Sequence, residues 1–400
     1  MEKQNALPKL RFPEFTNEWE KKKLGDLFFN RRQKGNENLP IFSVTQNRGL
    51  IRRDSLDRKM QNDAKPEDNL YVESNDLAYN MMRMWQGAIG IANQTCMVSP
   101  AYIVLKPKEN VSSEFFLQSF QKNRSLYLFT SYSYGLTSDR LRLYFKDFSD
   151  IKFHIPCYSE QQKISNFLNT IDDKLTQLKN KKVLLEQYMK GVTQKIFTQQ
   201  LRFKNEDGEF YEEWEKKKLG DCCKTSKSGG TPISTKRKYY DGDIPFLSIG
   251  DMTKQGKYLQ YTTNHISYLG LKDSASWIVP ANSIIYSMYA SVGFVAINKI
   301  PMSTSQAVLN LILNDDIDLE FMYYTLVDFQ KNISKFINTG TQGNLNAESV
   351  NKFIINLPRL DEQTQIANFL SAIDDKINHC GAQIEKMEGW KKGLLQKMFC

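Results

Sequence analysis

Two stretches of the chain carry apolar residues at alternating spacings of three and four, with polar residues filling most positions between. The first runs Ile164, Leu168, Ile171, Leu175, Leu178, Lys182, Leu185, Met189, Val192, Ile196. The second runs Ile366, Leu370, Ile373, Ile377, Cys380, Ile384, Met387, Lys391, Leu394, Met398. Five heptads with so narrow a seam predict helices that seek a coiled-coil partner rather than a broad domain surface. Each stretch follows a proline (Pro156, Pro358) and opens on an acidic residue (Glu160, Glu362), which suits the positive end of a helix. About 38 residues make a rod of roughly 57 Å. The simplest arrangement packs the two rods on each other, antiparallel. Lys182 then faces Cys380 and Lys391 faces Ile171, each lysine burying its stem and freeing its head. Packing of each helix on a separate subunit is the competing arrangement.

The two stretches are copies. EQQKISNFLNTIDDKL from Glu160 returns as EQTQIANFLSAIDDKI from Glu362. WEKKKLGD stands at Trp19–Asp26 and again at Trp214–Asp221, and LRF at Leu10–Phe12 and Leu201–Phe203. A repeat of about 200 residues is far longer than a solenoid unit. It predicts a duplicated module with internal two-fold pseudo-symmetry, like a homodimer joined into one chain.

Between these markers lie segments 13–155 and 208–357, whose patterning is shorter in range. Runs such as Asp76–Tyr79, Tyr102–Leu105, Ser283–Ser287 and Ala307–Leu313 predict strands. Turn signals separate them at Asn47-Arg48-Gly49, Gly229-Gly230 and Asp241-Gly242. Ser113–Leu128 and Leu319–Ile337 read as helices. Each segment is therefore an α+β domain, and the two diverge most in their middles. The expected organisation is a domain over 1–156, a rod over 157–200, a second domain over 201–358 and a second rod over 359–400.

Composition narrows the class. Hydrophobic residues at 40% and aromatics at 12% supply folded cores across 400 residues. The formal net charge of +9 favours a polyanionic partner over simple solubility. Six cysteines without C-x-x-C spacing, and no apolar leader or spanning run, point to reduced thiols in a soluble cytoplasmic protein with no membrane partner.

Catalytic chemistry is hard to find. The three histidines, His154, His265 and His379, have no metal-ligand spacing, and no P-loop exists. The chain has no Pro-Pro, so the Asn/Asp-Pro-Pro-aromatic tetrapeptide of amino-methyltransferases is absent. Glu20-Lys21-Lys22 and Glu215-Lys216-Lys217 resemble half of a nuclease site, but read better as a solvated helix face. No catalytic residue and no cofactor are expected in this chain.

What remains is basic, aromatic and amide-bearing material in loops. The first domain offers Thr45, Gln46, Asn47, Arg48, Arg52 and Arg53, then Arg83, Trp85 and Gln86, then Tyr132, Tyr134, Arg140 and Arg142. The second offers Ser228, Gly229, Gly230, Thr231, Lys236, Arg237 and Tyr239, then Lys254, then Tyr286, Tyr289 and Ser291. Thr341, Gln342 and Asn344 complete its set. Arg paired to guanine and Asn or Gln paired to adenine read the major groove. Lys, Ser, Thr and glycine-turn N–H groups hold phosphates.

The whole chain resembles the specificity subunit of type I restriction-modification systems, on the strength of the paired EQ…FL…IDDK tails, the WEKKKLGD entries, NMMRMWQGAIGIA, and SGGTPIST followed by YYDGDIPF. The resemblance implies two pseudo-symmetric α+β target recognition domains separated by two long helices packed as an antiparallel coiled coil. It implies that each domain reads one half of a bipartite, asymmetric site on double-stranded DNA, with the helices fixing the gap. Two methyltransferase subunits carrying S-adenosylmethionine, and two motor-nuclease subunits using ATP and magnesium, would dock on this scaffold. They would perform adenine-N6 methylation and ATP-dependent cleavage.

Overall fold

The computed structural model describes residues 7–46, 48–56, 65–137, 140–335 and 345–399. Both heptad stretches are single helices, Tyr158–Phe197 and Leu360–Met398. At 40 and 39 residues each is about 60 Å long. None of the twenty seam positions is exposed. By compactness the chain falls into two units. One holds the residues up to Lys179 with those from Ala382 onward, and the other holds Asn180–Gly381. Each unit therefore contains one α+β domain, the head of one rod and the tail of the other.

The rods pack antiparallel within each unit. In the first, Lys391 Nζ donates to Asp172 Oδ1 at 2.5 Å, Lys179 pairs with Glu388, and Phe167 meets Trp390 edge-on. In the second, the Lys182 ammonium lies beside Gly381. The register matches the heptad reading to within a residue. Lys182 keeps a partly exposed head near Glu186 of its own rod, whereas Lys391 is paired with a carboxylate of the facing rod rather than freed into solvent.

The domains share a frame. In the first unit an antiparallel sheet runs Phe28–Arg31, Tyr102–Pro107, Leu77–Asn80, Ile89–Ile91 in spatial order. In the second the order is Cys223–Ser228, Val308–Leu313, Ile284–Ser287, Val295–Asn298, with Tyr258–Leu259 added in parallel at the edge. One face of these strands packs against a helix, Ser113–Phe120 in one unit and Leu319–Phe329 in the other, and the central strands are buried on the opposite face as well. Ser112 and Asp318 cap those helices by accepting from Phe115 N and Phe321 N. The additions between the first two frame strands in sequence differ. The first domain inserts the hairpin Phe42–Thr45/Gly49–Arg52. The second inserts the three-stranded sheet Asn264–Ile266, Tyr240–Leu247, Ser303–Thr304, in which only the last strand comes from elsewhere.

The repeated motifs converge at the head of each rod. Glu20–Lys23 is a strand, not a helix face, and pairs antiparallel with Lys152–Ile155 just before the first rod. Glu215–Lys218 pairs likewise with Ile354–Leu357. A helix there would bury no apolar stripe. As strands, these segments close each domain onto its own rod. Trp19 Nε1 donates to Glu160 at 3.4 Å, and Trp214 Nε1 to Glu362 at 3.0 Å. The following glutamines are buried too. Gln161 accepts from Ser112 N and donates to Pro156 O, while Gln363 accepts from Asp318 N and donates to Pro358 O. Around them sit matching aromatic groups, Trp19–Phe115–Phe399 and Trp214–Phe321–Phe197. The LRF segments close the tails: Leu10 N donates to Lys397 O as Leu201 N donates to Lys195 O.

Three sequence-based elements are corrected. Ser113–Leu128 is two helices, Ser113–Phe120 and Asn123–Ser131, because Lys122 turns extended and Ser125 Oγ folds back onto Ser119 O. The helix from Leu319 ends at Phe329 and continues as a 3-10 segment, Gln330–Lys335. Asp241-Gly242 is a bulge inside the strand Tyr240–Leu247. Asp241 has φ +59°, and the pairing shifts between Tyr240 and Ile244. Gly242 is needed there because a Cβ would lie 2.4 Å from Ser267 Cα. Among the described residues no helix is long and apolar enough to cross a membrane.

Four stability outcomes follow from this packing. Leu168→Ala, at a fully buried seam position, should cost about 2–5 kcal/mol in thermal or denaturant unfolding. Leu184→Ala, on the exposed side of the same rod, should stay within about 0.5 kcal/mol. Arg11 clamps the fully buried Glu160 with two bonds of 2.7 Å, so Arg11→Ala strands a buried charge and should cost about 3–5 kcal/mol. Its counterpart Arg202 donates to Tyr211 O and Glu212 O instead, and Arg202→Ala should cost visibly less by the same measurement.

Candidate nucleic-acid interface

In the first unit the three loop clusters gather around the strand Ile89–Ile91. The hairpin Phe42–Thr45/Gly49–Arg52 lies directly against it: a Cβ on Gly90 would stand 2.2 Å from Leu50 N. The loop carrying Arg83, Trp85 and Gln86 leads into the same strand. Leu143 N donates to Met81 O, which draws the Tyr132–Arg142 loop to that place. This last loop is a small hairpin bridged at Tyr134 and Arg142. Tyr132, Tyr134, Arg140 and Arg142 are all exposed along it.

Several of these groups already have work. Thr45 Oγ1 donates to Gly49 O and accepts from Arg48 N, so it shapes the turn. Arg52 forks onto Asp54, Arg53 Nε donates to Ser43 Oγ, and Trp85 Nε1 donates to Met82 O. Arg83 donates to Gln86 Oε1. Gln46 and Arg48 are exposed at the hairpin tip. Asn47 lies outside the described residues.

The second unit rearranges its set more heavily. Gly229 N donates to Val308 O and Gly230 N to Thr304 O, so neither N–H is available to a phosphate. These glycines serve packing: a Cβ on Gly229 would sit 2.0 Å from Thr304 O. Ser228 O accepts from Trp277 Nε1, and Thr231 Oγ1 meets Gln306. Tyr239 is buried, with its hydroxyl between Lys236 and Asp273. Tyr286 is 1% exposed and belongs to the core. Both tyrosines are corrected from contact residues to framework. Lys236, Arg237, Lys254, Tyr289 and Ser291 remain exposed. Leu345 N donates to Met288 O, next to Tyr289 in the chain; Thr341, Gln342 and Asn344 fall just before Leu345 in sequence. Those three lie outside the described residues. Among the described residues no group of three or more His, Cys, Asp or Glu is placed to hold a metal ion.

The family profile of the type I restriction modification DNA specificity domain matches twice, at residues 16–187 and 211–388. The chain belongs to this family. The MjaIX type I restriction enzyme specificity subunit of Methanocaldococcus jannaschii is 30% identical over 210 residues, covering 51% of this chain and 48% of that protein. Matched segments span about a third to a half of the lengths of this subunit, the HindI specificity subunit of Haemophilus influenzae and the M. jannaschii relative named MjaX. The fold is similar to that of the S subunit of a type I restriction-modification system from M. genitalium. The TM-score is 0.61 at 16% identity, over 98% of this chain and 99% of that one. A chain solved in work on complex assembly and conformational transition of the type I R-M system aligns over 95% of this chain and 97% of its own. It has a TM-score of 0.54 at 15% identity.

Both specificity domains expose groups that sequence reasoning passed over. Tyr127 is 70% exposed on the helix Asn123–Ser131. Tyr268 is 75% exposed on the short helix Tyr268–Lys272, whose Gly270 packs on Tyr239 beside Lys236 and Arg237. Helical phase could have flagged Tyr127, since its neighbours Ser125 and Phe129 are the buried ones. Nothing in sequence brings Tyr268 to Arg237.

Lys254 depends on an internal brace. Its helix, Ile249–Gln255, is capped by Ser248 and held by Asp251, whose carboxylate accepts from Ser248 and Thr263. Burial works to raise the Asp251 pKa, but those hydrogen bonds outweigh it and hold the group below its ordinary value. A lowered folded pKa gives stability that is present above the ordinary value and lost as pH falls through the folded one. Asp251→Asn should therefore cost about 1–3 kcal/mol at pH 7, with the gap to the unsubstituted protein closing below about pH 4. Denaturant unfolding across pH checks this.

Proposed function

We propose that this chain reads DNA sequence for a type I restriction-modification complex and catalyses nothing itself. The observation that carries the reading is a duplicated lock beneath two different surfaces. Trp19–Glu160–Gln161 and Trp214–Glu362–Gln363 anchor matching sheets to matching rods, while the two domains insert different strands between their first frame strands, a short hairpin in one and a three-stranded sheet in the other. A pair of unlike readers on like mounts suits an asymmetric, two-part site. Each domain takes one half, through exposed groups such as Arg83, Arg140, Arg237 and Lys254. The paired rods set the gap, since a two-fold protein addresses half-sites about one turn of duplex apart, ~34–36 Å. The relatives are specificity subunits, and one structural neighbour comes from work on type I complex assembly, which supports the same role for this chain. Two methyltransferase subunits with S-adenosylmethionine and two motor-nuclease subunits with ATP and magnesium then supply adenine-N6 methylation and cleavage. The working place is the cytoplasm.

Methylome sequencing of cells expressing the chain with its methyltransferase partner should return one asymmetric site with a fixed gap. Inserting four residues into both rods lengthens each by ~6 Å. The gap should then grow by one or two base pairs while both half-sites persist. An unchanged gap removes the ruler. Methylation indifferent to Arg83→Ala and Arg140→Ala together would reduce the first domain to a scaffold.

A further inference from the structure

The Glu20–Lys23/Lys152–Ile155 ribbon does more than close the first domain. Directly opposed residues of an antiparallel pair share a face. Lys21 stands opposite His154 and Lys23 opposite Lys152, so the outward face carries three lysines and a histidine, with Lys23 and Lys152 a like-charged pair; burial and the neighbouring Lys21 and Arg124 lower the His154 pKa and favour its neutral form. A like-charged pair opposes strand pairing. Two carboxylates act on this face: Lys23 Nζ meets Asp150 Oδ1 at 2.8 Å, and Asp26 lies within electrostatic reach of Lys23. Arg124 lies within electrostatic reach of His154, as does Lys146 of Asp150, so the surroundings add positive charge. The other face is different. Phe153 packs on Phe120 and Phe129. Glu20 and Lys22 line a cleft of about 600 Å³ with Glu14, Glu18, Asp26 and Glu109. The ribbon thus turns positive charge one way and mostly negative charge the other. Its basic face adjoins the recognition loops, because Lys23 lies within electrostatic reach of Tyr132.

We propose that the outward face formed by Lys21, Lys23, Lys152 and His154 is a phosphate-binding surface that grips the DNA backbone beside the first recognition domain without reading bases. The inference rests on the DNA-reading function above and adds a contact that this function does not require. Phosphate contacts fix position, whereas base contacts specify. A polyanion also offsets the repulsion between the opposed lysines. The copy in the second unit is weaker: Lys216 faces Asn356 and Lys218 faces Ile354.

The test uses the full chain with its methyltransferase partner and two duplexes, one carrying the target and one scrambled, titrated across potassium chloride concentrations. Replacing Lys21, Lys23 and Lys152 together by Gln should weaken binding to both duplexes by a similar factor, about 10–100-fold near physiological salt. The slope of log K against log salt should fall by about 2–3, and the ratio of target to scrambled affinity should hold. The matching Arg triple should keep the original slope, which separates lost charge from lost folding. Lys216→Gln with Lys218→Gln should lower the slope less. An unchanged slope in the Gln triple overturns the proposal, as does a changed target-to-scrambled ratio. If the unsubstituted complex shows no preference for any sequence, the DNA-reading function fails, while the slope on the scrambled duplex still decides the ribbon.

Discussion

A carboxylate held out of water at the head of each rod is the constraint on which the rest of the molecule depends. Glu160 is fully buried and Glu362 nearly so, and each accepts from the indole of a tryptophan some 140 residues earlier in the chain. A buried carboxylate without donors is costly, and burial pushes the Glu362 pKa up. The tryptophan and the rod must therefore arrive together. Once they do, the next residue, a glutamine, receives the backbone N–H at the cap of the domain helix. Rod, entry strand and domain helix are tied at one point.

That tie explains how two unlike surfaces share a mount. Both sheets keep the same order of four strands, and both place a capped helix against the rod. Lower down, the first aspartate of each IDDK motif repeats the attachment with different partners. Asp172 accepts from Gln118 and Lys391. Asp374 accepts from Tyr324 and lies near Lys257, whose ammonium sits over the rings of Tyr258, Tyr323 and Tyr324. The attachment is preserved while its chemistry drifts. The largest described differences lie between the first two frame strands in sequence, where insertions do not disturb the lock.

The rods face two demands. A seam that buries Leu168, Ile171, Leu370 and Ile373 gives adhesion without direction. Lys391 and Asp172 add direction, since a one-heptad slip would leave a half-buried lysine without its carboxylate.

The periodic elements were legible in the sequence because their signal is local and long. Five heptads leave little choice of structure, and repeated EQ, FL and IDDK strings mark positions that face the same environment twice. The duplication, the rods, their antiparallel register and the family resemblance all come from that signal. Tertiary structure alone decided the rest. WEKKK looks like a solvated helix until the strand before the rod, some 130 residues away, supplies its hydrogen-bonding edge. Gly229 and Gly230 look like a phosphate loop until Val308 and Thr304 claim their N–H groups. Tyr286 and Tyr239 look like exposed aromatics among polar neighbours, yet one fills the core and the other is pinned by Asp273. In each case the deciding partner is distant in sequence and has no periodic relation to the residue, so only the folded chain could bring the two together.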